Sequence, residues 1–187
     1  RFPELAPRPG EIGLFHAEGG TVMAEQGLLA LAEAATRKGV AILAPERVTA
    51  IDPGSHPVTI VTEKRRLHAA RVVLSAGPWS GALLESLGIH VPLAPAVAQV
   101  TFLDAPGQVD RPGIAEWETF ETGGVYGHPV PGIGYKIALD AGSAGWDPDV
   151  TEWTTDREEE RRILDWLAQR MPGMPRKVAR SQRQQES

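Results

Sequence analysis

The sequence contains no cysteine among its 187 residues. Disulfide bonds, thiolate metal ligands and cysteine-linked cofactors are therefore excluded within this chain. No apolar run is long enough to cross a membrane, and the opening residues do not have the pattern of a signal peptide. The net charge is -5, and the longest basic cluster is the tripeptide at 64–66. We therefore expect a cytoplasmic protein with neither a membrane nor nucleic acid as its partner.

Familiar catalytic motifs are also missing. The chain has no Gly-x-Ser-x-Gly, no His-Glu-x-x-His and no P-loop. The Gly-Ile-Gly at 132–134 lacks a third glycine and stands between two predicted strands, so we interpret it as a hairpin turn. The acidic residues near 147–152 fit no known cation-binding spacing. The sequence therefore predicts no metal site.

The most informative stretch lies at 70–79 and reads Ala-Arg-Val-Val-Leu-Ser-Ala-Gly-Pro-Trp. The apolar run 72–74 predicts a buried strand of a parallel sheet. Small residues follow at 75–77, and Pro78 suits the first turn of a helix that continues from Trp79 to Leu87. A strand, turn and helix in this order can offer backbone N–H groups to an anionic ligand. The alternative is that this strand–turn–helix segment has only a structural role and binds no ligand.

The remaining pattern predicts a mixed α/β (α+β) chain with two parts. In the first part, over 1–90, we predict a helix at 24–38 with a buried apolar stripe that includes Leu28 and Leu31. A short strand at 40–43 and an antiparallel meander follow, the meander over 46–51, 58–62 and 67–75.

In the second part, over 91–178, we predict antiparallel strands at 96–103, 124–128 and 134–139. A capping box of Thr155 and Glu158 then opens a final helix, whose apolar side includes Ile163 and Leu167. The polar tail at 179–187 is predicted to be disordered.

Two polar residues of the second part are candidates for chemistry. Tyr126 and Lys136 lie on the two predicted strands of one hairpin, so both could face one cavity. A phenol and an ammonium group in one cavity can hold a substrate carboxylate or stabilise developing negative charge. Strand packing for Tyr126 and a solvated Lys136 form the alternative interpretation.

The order of these segments resembles the FAD-dependent amine oxidases of the D-amino-acid oxidase superfamily, and within it the monomeric sarcosine oxidases and N-methyltryptophan oxidases. The resemblance covers about residues 10–178. It implies part of an FAD-binding Rossmann-like domain over 1–90 and part of an antiparallel-sheet substrate domain over 91–178. The matching segments are Glu18-Gly19-Gly20, the helix at 24–38, 46–48, 71–79, 92–95, 126–129, 134–136 and Asp147-Pro148.

The resemblance also implies a role for individual residues. Tyr126 matches a tyrosine that lines the substrate pocket, and Lys136 matches the lysine beside the flavin ring that promotes reaction with oxygen. FAD itself would supply the redox chemistry. The residues that match cofactor-contacting positions are Val48 at the adenine end and Ala76, Gly77 and Trp79 close to the flavin.

The sequence departs from the family at several places. The Gly-x-Gly-x-x-Gly segment that holds the FAD pyrophosphate is not in this chain, and residues from Arg180 onward are polar and unlike the family. Asp140 stands where sarcosine oxidases have histidine. We therefore expect an internal fragment, inactive alone, of an oxidase that converts a secondary amine or amino acid to an imine, with oxygen reduced to hydrogen peroxide. A dehydrogenase that passes electrons to a carrier, and a non-catalytic binding domain, are the alternatives.

Overall fold

The computed structural model describes residues 4–105, 107, 111–119, 123–139, 143–144, 146–150 and 154–186. These residues divide into two compact units. One consists of residues 4–21 together with 95–186, and the other consists of residues 22–94. The division between the units falls after residue 94, and the predicted domains over 1–90 and 91–178 stay a prediction. Residues 4–21, however, belong with the second part of the chain and not with the first. That the parts bind FAD and substrate stays a prediction.

The unit of residues 22–94 contains two helices and a small sheet. The first helix, α1, spans Ala24–Arg37, as predicted. Three antiparallel strands follow in sequence order, which confirms the predicted meander: β1 (Val48–Asp52), β2 (Val58–Thr62) and β3 (Arg66–Ala69). A 3-10 turn at Gly77–Trp79 leads into the second helix, α2, at Ser80–Ser86.

Two predicted strands of this unit do not form. Residues 40–43 have no regular secondary structure, and neither do residues 71–75, the second half of the predicted strand at 67–75 that includes the apolar run 72–74. Val73 is 87% exposed. A strand requires a hydrogen-bonded neighbour, and the described residues supply none for either segment. The prediction that α1 buries an apolar stripe is also wrong. No described surface covers this stripe, and Leu28 and Leu31 are each 68% exposed.

The other unit is built on an antiparallel six-stranded sheet with β4 (Ala96–Leu103) near its centre. One side of β4 pairs with β7 (Gly134–Leu139), which is followed by β6 (Gly123–Val130) and β5 (Ile114–Thr119). The start of β4 also pairs with the short strand β8 (Ser143–Ala144). The predicted strands at 96–103, 124–128 and 134–139 are confirmed, whereas β5 was not predicted.

The last strand, β9, corrects the expectation of a disordered tail. It spans Val178–Glu186 and pairs antiparallel with β4 along its whole length. One of its polar side chains has polar partners, since the hydroxyl of Ser181 lies 3.2 Å from that of Thr101 and donates to Glu160 at 2.7 Å. Low hydrophobicity therefore did not prevent strand formation here, because backbone pairing and side-chain hydrogen bonds both stabilise this strand.

A long helix, α3 (Arg157–Arg170), packs on one face of this sheet. Ile163 and Leu167 of α3 are fully buried, as the predicted apolar side requires. The N-cap is Asp156 and not Thr155, because the Asp156 carboxylate accepts the Glu158 N–H at 2.8 Å. The sheet contributes alternate residues to this core, which comprises Leu103, Ala105, Val125, Tyr135, Ile137, Leu139, Ile163, Leu167, Met171 and Met174.

Candidate functional site

The face of the six-stranded sheet opposite α3 carries the candidate site. Directly paired residues of neighbouring strands point to the same side of a sheet. His128 pairs with Lys136, Lys136 with Phe102, and Phe102 with Arg180. These four side chains therefore form one row across β6, β7, β4 and β9. The alternate residues of the same strands, such as Ile137 and Leu103, point to the other side and into the core with α3.

The structure brings Tyr126 and Lys136 together on this face. The Nζ atom of Lys136 lies 5.7 Å from the centroid of the Tyr126 ring, within the range of a cation–π contact. Both side chains are half-buried. The arrangement places an aromatic ring and a positive charge side by side, as expected for two residues of one hairpin that share a face.

A second cation lies over an aromatic ring in the same row. The guanidinium carbon of Arg180 is 4.5 Å from the centroid of the Phe102 ring. Phe102 is only 5% exposed, so its ring is held firmly by its surroundings. Sequence reasoning missed Arg180 because it assigned the tail to disorder. The available signal was the run of long polar residues at 180–186, which is compatible with an exposed strand.

The other tyrosine of the chain has a different environment. Tyr135 precedes Lys136 on β7, points toward α3 and is fully buried. Its hydroxyl donates a hydrogen bond to the carbonyl oxygen of Pro112 at 3.1 Å. Burial raises the pKa of Tyr135 well above its ordinary value. Tyr135 is therefore a core residue, whereas Tyr126 is half-buried on the opposite face of the sheet.

The predicted cofactor-contacting residues all lie in the unit of residues 22–94. Gly77 has a positive φ of 51°, and a Cβ atom there would meet nothing within 4 Å. The Trp79 N–H donates to the Ala76 carbonyl at 3.1 Å and closes the turn. Val48 lies on β1, where it pairs with Thr62. The positive φ explains why glycine suits position 77.

The segment at 71–77 has features that are compatible with a planar cofactor such as FAD. Among the described residues, no hydrogen bond involves the backbone of 71–75, so its N–H and C=O groups are open to a ligand. Val73 presents apolar surface beside them, and the space around Gly77 is open. An exposed backbone next to apolar surface is what a flat aromatic ligand requires.

A search of the described ranges finds no group of three or more histidine, aspartate or glutamate side chains that could hold a metal ion. Asp140, which departs from the family pattern, lies outside those ranges. In the part of the chain that the structure describes, no helix has the length and apolar character needed to cross a membrane.

Comparison with protein families decides the relationship. The profile of the DAO family, described as FAD dependent oxidoreductase, matches residues 1–184. The chain belongs to this family. The cofactor of the family is FAD, and the expected resemblance is confirmed. The match extends a few residues beyond the expected range of about 10–178 at both ends.

Individual members of the family cover the chain to different extents. Human peroxisomal sarcosine oxidase is 40% identical over 93 residues, which are 50% of this chain and 24% of that protein. Monomeric sarcosine oxidase from Bacillus sp. (strain B-0618) is 26% identical over 181 residues, which are 92% of this chain and 46% of that protein. The chain thus spans less than half the length of these relatives.

Solved structures show the same fold. A variant of NikD, an unusual amino acid oxidase, superposes with a TM-score of 0.73 at 22% identity, covering 86% of this chain and 43% of that one. Glycine oxidase from Geobacillus kaustophilus gives a TM-score of 0.69 at 17% identity, covering 84% of this chain and 40% of that one. The chain therefore has the α/β fold with antiparallel sheet that its sequence predicts.

Proposed function

We propose that this chain is part of an FAD-dependent oxidase that converts a secondary amine or amino acid to an imine and reduces oxygen to hydrogen peroxide. Family membership supports the redox class, and the names of the relatives support the amine or amino-acid substrate. The observation that carries the oxidase assignment is the ammonium group of Lys136 beside the Tyr126 ring. Bound FAD would supply the electron-accepting chemistry.

Lys136 has the properties that oxygen reduction requires. Its strand lies between two paired neighbours, β6 and β4, so its backbone is fixed. Its side chain is half-buried, so solvent screens its charge less than that of an exposed lysine. A positive charge that is fixed before the reaction stabilises negative charge that develops on oxygen at little cost in reorganisation.

Tyr126 would line the substrate side of the same face. Its ring offers apolar surface to the substrate, and its contact with Lys136 restricts where the ammonium group lies. Val48, Ala76, Gly77 and Trp79 would hold FAD, and the open backbone beside Gly77 supports this assignment. The isolated chain lacks the phosphate-binding glycine motif, and we expect it to bind FAD weakly and to show no turnover.

Replacing Lys136 tests the oxidase assignment. In the complete enzyme, Lys136→Met should slow reoxidation of the reduced flavin by oxygen by about 100-fold or more, which is the usual effect of removing one fixed electrostatic group. Anaerobic reduction of the flavin by substrate should change little. Stopped-flow absorbance of the flavin measures both rates. Lys38→Met, which removes an exposed lysine after α1, is the matched control.

The outcomes separate the alternatives. Equal oxygen rates in Lys136→Met and wild type would remove Lys136 from the mechanism. Flavin reduction by substrate without oxygen consumption in the wild type would indicate a dehydrogenase that uses an electron carrier. A purified complete protein without flavin absorbance would indicate a binding domain that kept the fold without the cofactor.

A further inference from the structure

We propose that His128 carries a proton-dependent second positive charge beside Lys136, and that its protonation speeds oxygen reduction at this face in mild acid. The inference rests on the proposed function and adds a regulating residue to the same site. His128 on β6 is paired directly with Lys136 on β7. Directly paired residues have Cβ atoms about 5 Å apart and point to the same side of a sheet. His128 is therefore the immediate neighbour of the lysine to which we assign oxygen reduction.

One ring nitrogen of His128 is engaged in a hydrogen bond. Its Nδ1 atom lies 3.1 Å from the carbonyl oxygen of Pro129. A carbonyl oxygen only accepts hydrogen bonds, so Nδ1 carries a hydrogen and donates it. The proton that the ring takes up in acid therefore goes to Nε2. Because the Nδ1 contact is the same before and after that step, the ring keeps one orientation in both charge states.

A glycine lies beside His128 on the side of β5. A Cβ atom added at Gly113 would lie 3.6 Å from the Cβ atom of His128, and Gly113 is exposed. His128 itself is half-buried. Solvent can therefore exchange protons with the ring from the side of Gly113, while Lys136 lies on the other side.

Protonation of His128 adds charge of the sign that this face already carries. Toward β5, the nearest charged residue in the sequence is Arg111, which is paired with Glu4 at 3.5 Å. An imidazole changes its charge between about pH 5 and pH 8. The face is therefore more positive at pH 5 than at pH 8. Among the strand residues whose side chains the structure describes, the charged or titratable ones on this face are Tyr126, His128, Lys136 and Arg180.

The added charge acts on the step that we assign to Lys136. Reduction of oxygen to hydrogen peroxide takes two protons and two electrons, and the electrons come from reduced FAD. The electrons bring negative charge to oxygen, and positive charge that is already in place stabilises it. Since β6 and β7 are hydrogen-bonded to each other, His128 stays beside Lys136 and contributes to the same stabilisation. The reaction with oxygen should therefore become faster as the pH falls.

NMR of the purified chain tests the charge coupling without flavin. Lysine side chains are labelled with ¹³C at Cε, and the signal of Lys136 is identified by its loss in Lys136→Met. In the wild type this signal should shift between about pH 5 and pH 8, because it senses the charge of the neighbouring imidazole. In His128→Gln and in His128→Phe it should stay constant over the same range. His90→Gln, at an exposed position in the other unit, should behave like the wild type.

Stopped-flow kinetics of the complete enzyme provide the second arm. In the wild type, reoxidation of the reduced flavin by oxygen should be about fivefold faster at pH 5 than at pH 8. This effect is smaller than the one expected for Lys136, because His128 acts from the next strand. His128→Gln should reoxidise at the slow rate throughout. His128→Lys should reoxidise at the fast rate throughout, because a lysine keeps its charge over this range.

Three results would overturn the inference. They are a wild-type Lys136 signal that does not shift with pH, a shift that persists in His128→Gln, and a His128→Gln enzyme whose reoxidation keeps the wild-type pH profile. If Lys136→Met is slow and His128→Gln keeps that profile, the proposed function stands and the His128 inference fails. If oxygen leaves the reduced flavin unchanged, the oxidase assignment and the kinetic role of His128 both fail, and the NMR titration still decides the charge coupling.

Discussion

The two units bury their apolar residues to very different extents. All the buried hydrophobic residues of the described chain lie within 97–174, in the unit that contains the six-stranded sheet. Among the described residues 22–94, only Thr62 is buried, and it is polar. Leu167 of α3 is fully buried, whereas Leu31 of α1 is 68% exposed. Two leucines on amphipathic helices thus have opposite environments.

This difference shows that an apolar stripe predicts burial only where a second surface covers it. α3 shares a buried core with residues of β4, β6 and β7, and each buried leucine side chain stabilises a fold by about 2 kcal/mol. α1 has no such surface among the described residues. We therefore expect the unit with the six-stranded sheet to supply most of the free energy of unfolding, and the candidate site to rest on that stable sheet.

The largest expected loss comes from a substitution at Gly134. A Cβ atom there would lie 2.1 Å from the carbonyl oxygen of Leu103, and the φ of 140° is unfavourable for any other residue. Gly134→Ala should lower the free energy of unfolding by about 4 kcal/mol or more, since the neighbouring atom is backbone and cannot move away. Urea denaturation followed by circular dichroism measures this.

Gly132→Ala is the matched control for that substitution. Gly132 stands in the same turn with a φ of 77°, but a Cβ atom there would meet nothing within 4 Å. Only the cost of the backbone conformation remains, which is about 1 kcal/mol. If Gly132→Ala and Gly134→Ala lowered the free energy of unfolding equally, the close contact between position 134 and Leu103 would not contribute to the loss.

Truncating one leucine in each unit tests the comparison itself. Leu167→Ala should cost about 3 kcal/mol, because it removes buried methyl groups and leaves a cavity. Leu31→Ala should change the free energy of unfolding by less than about 0.5 kcal/mol, because its side chain is already exposed. Hydrogen exchange measured by mass spectrometry gives the change in the free energy of unfolding for each unit separately. If Leu31→Ala lowered the free energy of unfolding as much as Leu167→Ala does, the apolar side of α1 would have to be buried in solution.

The sequence predicted the elements whose pattern is local. The alternation in 96–103 gave β4, and the shared hairpin of Tyr126 and Lys136 placed both on one face of the sheet. Helices at 24–37 and 157–170 followed from their periodicity and their terminal residues. In each case the residues that decide the structure are close in the chain or repeat with one period.

The failures concern features that depend on distant residues. Residues 72–74 have the composition of a buried strand but lack a strand to pair with among the described residues. Residues 178–186 have a polar composition but pair with β4, as the contact between Thr101 and Ser181 shows across a separation of 80 residues. Arg180 was missed for the same reason, because its contact with Phe102 exists only once β9 has joined the sheet.

Acid should weaken the unit with the buried core through Glu11. The Arg8 N–H donates to the Glu11 carboxylate at 2.6 Å and Arg170 donates at 2.8 Å, and these contacts hold the pKa of Glu11 below its ordinary value of 4.5. The ionised form therefore favours the folded state. Its contribution is present above pH 4.5 and is lost as the pH falls through the lowered folded-state pKa.

Comparing variants isolates this acid dependence. Glu11→Gln should lower stability at neutral pH, and its difference from wild type should shrink as the pH is lowered from about 5 to about 3. Glu18→Gln, at an exposed position, should follow the wild type at every pH. Urea midpoints across this range measure both. A difference that does not vary with pH would mean that the Glu11 charge does not contribute.

The smallest expected effect is a gain, and it concerns the exposed helix. Gly27 lies inside α1, and a Cβ atom there would meet nothing within 4 Å. Gly27→Ala should therefore stabilise α1 by about 0.5 to 1 kcal/mol, the difference in helix propensity between the two residues. Ala30→Gly, at an exposed position of the same helix, should lower it by a similar amount. Amide exchange within α1 should slow in the first variant and accelerate in the second, while exchange in α3 stays unchanged.

Because α1 buries no residue in the described chain, helix propensity decides the stability of α1, whereas packing decides the stability of α3. An α1 that responds to neither substitution would contradict that distinction.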